Sequence, residues 1–110
     1  MTNFDRQRAE QYLNQPLPEL MDELALYDDA YRGVGDTWQK VSAPIRRPIC
    51  EEWDWCSVRQ DSRFENDYDI YVAVVGILAT RVLHIPLDAD IYLVSAILVK
   101  RSLDSFCGCP

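Results

Sequence analysis

Apolar side chains recur at spacings of three and four along most of this chain, and Gly or Pro interrupts each run. The pattern predicts about six helical pieces. Asn3 is suited to cap a first helix reaching Asn14, with Phe4, Ala9, Tyr12 and Leu13 as its apolar positions; Gln15-Pro16 breaks it. A second stripe is the clearest: Leu17, Leu20, Met21, Leu24, Tyr27 and Tyr31 share one face. Pro18 suits its first turn, Glu19, Asp22 and Glu23 complement the positive helix end, and Gly33 and Gly35 supply the stop.

Asp36 is an N-cap candidate for a third helix carrying Trp38, Val41 and Ile45, which Pro44 and Pro48 must end or kink. A fourth segment runs from Ile49 to Cys56, and polar residues 57–66 read as the longest loop. The last 45 residues hold the apolar core as two helices, Asp67–Leu83 and Asp88–Phe106, parted by His84-Ile85-Pro86-Leu87. The run Ile70–Thr80 is apolar on nearly every side and is expected to be the enclosed, central helix. Ala73, Gly76 and Ala79 give it a smooth face, against which Ser95 and Ala96 of the last helix, or a second copy of the chain, would fit closely. β-Branched residues in these two runs also suit strands, but their length, caps and lack of alternation favour helices. The expected fold is therefore all-α: one domain, residues 1–110, a compact bundle of five or six helices around a C-terminal apolar hairpin.

Composition narrows the function. Of 110 residues, 48% are hydrophobic, enough for a substantial core, and 18 acidic against 11 basic side chains leave a net charge of -7. Such a field repels phosphate backbones, and the only adjacent basic pairs, Arg46-Arg47 and Lys100-Arg101, make no basic groove in sequence. Nucleic acid is thus not an expected partner. The longest uncharged apolar runs fall short of the roughly 20 residues that span a bilayer, so no membrane is expected either. The first fifteen residues contain no apolar leader run, which points to the cytoplasm and to reduced thiols as the default.

Candidate chemistry is sparse. Cys50, Cys56, Cys107 and Cys109 provide the four thiolates of a structural zinc site, or a redox-sensing set. Six helical steps would nevertheless turn Cys56 about 120° from Cys50, and small buried hydrophobes with a loose tail are the plainer reading. His84, the single histidine, lacks any element that would orient it on a cysteine nucleophile, and suits the end of the central helix. Asp28-Asp29 and Glu51-Glu52 diverge on a helix instead of sharing a proton. Residues 61–72 lack the glycine and glutamate of a calcium loop, and Gly33-Val34-Gly35-Asp36 lacks a phosphate-loop lysine. No catalytic set emerges, and no cofactor or metal is expected.

The expected function is a non-enzymatic protein–protein interaction module: an adaptor, regulatory subunit or inhibitor. On a regular helix Trp55 would point about 160° from Trp53 and into solvent, as an interface anchor, whereas an irregular segment would send both rings inward. Asp22, Glu23, Asp28 and Asp29 form the acidic surface that would steer a protein partner with a basic surface. Self-association through the smooth helix face is the further partner expectation, and a thiol-based zinc or redox domain is the alternative function.

Overall fold

A computed structural model describes residues 4–29, 33–82 and 84–110. The described residues form helices and turns with no strand: α1 (Arg6–Leu13), α2 (Leu17–Ala25), α3 (Val34–Ser42), α4 (Trp55–Val58), α5 (Asp67–Arg81), α6 (Ile91–Arg101) and α7 (Leu103–Cys107). The all-α expectation holds. Among these residues no helix is long and apolar enough to cross a membrane. The expected cap Asn3 and the stripe residue Tyr31 lie outside the described residues.

The central element is α6 rather than α5. Leu93 through Leu98 are all buried in an unbroken run, so α6 is surrounded, with α1, α2, α5 and α7 packed on it. Helix α5 presents Tyr71, Val74, Val75 and Leu78 to the core, a spacing of three and four. Its small residues are on the other side: Gly76 and Ala79 are exposed and Ala73 half-exposed. A Cβ added at Gly76 would meet nothing within 4 Å, so this is not the face that approaches Ser95 and Ala96. An all-apolar run is compatible with an open face when the exposed residues are small, because they leave little apolar area in water.

Two predicted helices break at residues that are neither glycine nor proline. Asp54 adopts φ 57°, ending the Pro48–Glu52 π-turn and starting α4 in a new direction. Ser102, at φ 78°, divides the last helix into α6 and α7, and its hydroxyl accepts from the Ser105 amide. These breaks explain why more helices are present than expected. Pro44 sits in a 3₁₀ turn over Ala43–Ile45, so the prolines tighten or widen the helical path without ending it at once. The last long helix starts at Ile91 instead of Asp88 and is capped by Asp90, whose Oδ1 accepts the Tyr92 amide at 2.9 Å.

The third difference is the tail. Cys50 bridges Cys107 and Cys56 bridges Cys109, across 57 and 53 positions of sequence. The thiols are not reduced, and the Cys-Gly-Cys-Pro end is not loose. Gly108, at φ 66°, terminates α7 and lets the chain turn between the two bridges.

Candidate interaction surface

Helix α2 sorts its residues by face. Leu20, Met21 and Leu24 are buried, while Glu19 and Asp22 are exposed on the outer side. Leu26 directly follows, at positions i+7 and i+4 from those two acids, and is 83% exposed. It is the one exposed large hydrophobic among the described residues. The combination arises because α2 stops at Ala25, with the Leu26 amide donating back to Glu23 and the Tyr27 amide to Leu24, so the chain turns before Leu26 can reach the core.

The four acids expected to act together have three different situations. Asp22 and Asp29 are exposed. Glu23 is half-buried, and its Oε2 is shut off from solvent and accepts no hydrogen bond among the described residues. Asp28 is turned inward, with a side chain only 2% exposed. Thr37 Oγ1 donates to its Oδ2 at 2.9 Å, and Lys40 Nζ donates to both carboxylate oxygens at 3.2 and 3.0 Å. The hydrogen bond to Asp28 holds the Lys40 ammonium above its ordinary pKa, with Asp36 adding to the effect. Asp28 therefore ties the end of α2 to α3 and does not belong to the steering surface. Asp36, expected as the cap, lies in the first turn of α3.

Trp55 is not a surface anchor. It is 4% exposed, its ring lies 5.3 Å from that of Trp53, and Phe64 packs against both. The left-handed Asp54 between the two tryptophans cancels the helical divergence that would have placed Trp55 in water. The Trp55 indole donates to Asp104 Oδ1 at 2.8 Å, and Arg59 pairs with the same carboxylate at 3.0 Å. Arg59 also donates to the Pro110 carbonyl at 2.9 Å. The two disulfides and these bonds hold α7 and the tail against residues 48–59.

The remaining candidates are accounted for locally. His84 is exposed and bonds Asp88 Oδ1 at 2.8 Å; with all four cysteines bridged, no free thiol is left for it to activate. Among the described residues no group of three or more His, Cys, Asp or Glu is arranged to hold a metal ion. A polar cluster that periodicity did not reveal joins α1 to the start of α6. Asp90 accepts from the Tyr12 hydroxyl at 3.1 Å and pairs with Arg8, and the Tyr71 hydroxyl donates to the Tyr92 carbonyl at 2.9 Å. Burial first, and Asp90 second, push the Tyr12 phenol up to about 12 and raise Tyr71 as well. Tyr71 is fully buried and Asp90 serves as a cap, so this cluster fastens helices. No protein-family model, curated protein or solved structure matches the chain.

Proposed function

We propose that this chain is a non-enzymatic interaction module, acting as an adaptor, regulatory subunit or inhibitor, whose α2 face receives a protein with a basic surface. One observation carries the reading. Leu26 stands 83% exposed on a face otherwise made of Glu19 and Asp22, with Asp29 just beyond. An apolar anchor ringed by charge is the usual make-up of a transient interface, the anchor supplying affinity and the acids supplying rate. Transferring one leucine side chain from water to an apolar pocket contributes about 1.5–3 kcal/mol, a tenfold to hundredfold effect on binding.

Comparative pull-down at low salt tests this, using the wild-type chain, Leu26→Asp, and the double variant Asp22→Asn/Asp29→Asn. The expected outcome is a partner held by the wild type, lost from L26D, and bound more slowly by the charge variant. A partner that binds all three equally, with an on-rate indifferent to salt, refutes the reading.

The thiol-based alternative has its own supporting observation: both bridges join the same two stretches of chain, so reduction would remove every covalent tie on the tail at once. Adding zinc to the fully reduced protein tests it, with one metal ion bound by four thiolates and their protons released to solvent as the positive result. Location follows from the same bridges. Disulfides persist in oxidising compartments and are rare in a reducing cytosol. The bridged form thus favours an oxidising compartment over the cytoplasmic expectation, and alkylation of free thiols in intact cells distinguishes the two.

A further inference from the structure

Arg46 and Arg101 come from the two basic pairs that stand far apart in sequence, yet both line one cleft of about 240 Å³ between α3 and the α6–α7 junction. No carboxylate lines this cleft, and neither arginine has an acidic partner at ion-pair distance among the described residues. That is unusual in a chain with 18 acidic side chains against 11 basic ones, where a carboxylate is the commonest neighbour available. Both guanidinium groups are nevertheless held in place. Arg46 lies 4.3 Å over the Phe106 ring and donates through Nη1 to the Phe106 carbonyl, while Arg101 lies 5.6 Å over Trp38. Phe106 and Trp38 are themselves buried, with ring centroids 6.3 Å apart, so the two aromatic supports form one wall.

A guanidinium that lies against an aromatic ring keeps most of its N–H donors free to bind, although Arg46 already commits one Nη1 hydrogen to the Phe106 carbonyl. Ser42, 2% exposed, and Ser105 add hydroxyls to the same cleft. A single arginine fork satisfies the two oxygens of a carboxylate; two forks plus hydroxyls match the three or four oxygens of a tetrahedral oxyanion. From this arrangement we propose that the Arg46–Arg101 cleft binds a phosphoryl group, carried either by free phosphate or by a small phosphate monoester. The site is independent of the α2 face and does not rest on the interaction reading.

Titration of the intact, bridged protein with inorganic phosphate and separately with glycerol phosphate, followed by ¹H–¹⁵N spectra, tests the proposal. Sodium chloride at matched ionic strength serves as the control. Saturable shifts of the Trp38 indole and of the Arg46 and Arg101 side-chain N–H signals are expected. Arg101→Gln weakens binding about tenfold or more, the effect of losing one charge-assisted contact. Arg46→Gln acts likewise; because it also removes the bond to Phe106, the exposed Arg101 is the cleaner probe. Arg47→Gln and Lys100→Gln, sequence neighbours outside the cleft lining, leave binding unchanged. Tighter binding of glycerol phosphate identifies an ester as the ligand, and equal binding identifies free phosphate. The proposal is overturned by the absence of saturable shifts up to about 10 mM, where even weak charge-assisted binding is measurable. Equal binding by R101Q also overturns it.

Discussion

The two disulfides should stabilise the fold less than additively, by an amount that follows from where they sit. Forming the first bridge closes a loop of 57 positions if it is Cys50–Cys107, or 53 if it is Cys56–Cys109. Either closure restricts the unfolded chain by about 4 kcal/mol on the chain-entropy account. Once one bridge exists, the second closes only the small ring through residues 50–56 and 107–109. A ring of about ten residues contributes about 2.5–3 kcal/mol. Removing either bridge as a pair, Cys50→Ala with Cys107→Ala or Cys56→Ala with Cys109→Ala, should therefore cost only that smaller amount. Removing both should cost about 7 kcal/mol, exceeding the sum of the pairs by about 1.5 kcal/mol. The cysteines are only half-buried, so lost packing is small and largely cancels in the difference. Urea unfolding of the four proteins, each extrapolated with its own slope, measures the cycle. Since domains of this size have about 5–15 kcal/mol in total, the bridge-free protein should be near its unfolding threshold. Additive losses of about 4 kcal/mol per bridge would refute the shared-ring reasoning. A negligible loss on removing both would refute the bridges' role altogether.

Three further outcomes are expected. Asp28→Ala strands the fully buried Thr37 hydroxyl and should destabilise by about 1–3 kcal/mol, whereas Asp22→Ala and Asp29→Ala stay within about 0.5 kcal/mol; denaturant melts distinguish them. Gly76→Ala should raise stability by about 0.5–1 kcal/mol, because its Cβ enters open space on a helix interior; a loss would mean that another chain covers this face. Tyr12, raised from 10.0 to about 12 in the folded state, keeps its proton where the unfolded chain loses it. Its contribution is full below pH 10 and disappears as pH climbs through about 12, so alkaline unfolding and late phenol absorbance should coincide. Stability that is flat across this window would contradict the Tyr12–Asp90 contact.

Helical periodicity carried most of the secondary structure. The buried stripe of α2, the apolar runs of α5 and α6, and the break before Pro86 are all visible in the spacing of side chains, because each is fixed by neighbours within about four residues. The all-α class and the substantial core follow from the same local signals. Asp54, Leu87, Asp88 and Ser102 left no such trace. They take positive φ without being glycine; aspartate tolerates that conformation, but nothing local singles out these aspartates from the chain's others, and surrounding contacts must impose it. One of them, Asp54, turned the expected surface anchor Trp55 into a core residue.

The sites were less legible than the helices. Cysteine count and spacing could not say which thiols would meet, since pairing depends on how α7 returns to residues 48–59. Likewise Asp22, Asp28 and Asp29 are indistinguishable by composition, yet Lys40 and Thr37 draw only Asp28 into the interior. Arg46 and Arg101 belong to unremarkable basic pairs until the helices bring them to one aromatic wall. Amphipathic spacing settles which residues face inward along an element. Which inward faces meet, and so which charges, rings and thiols become neighbours, depends on long-range packing of α6 against everything around it.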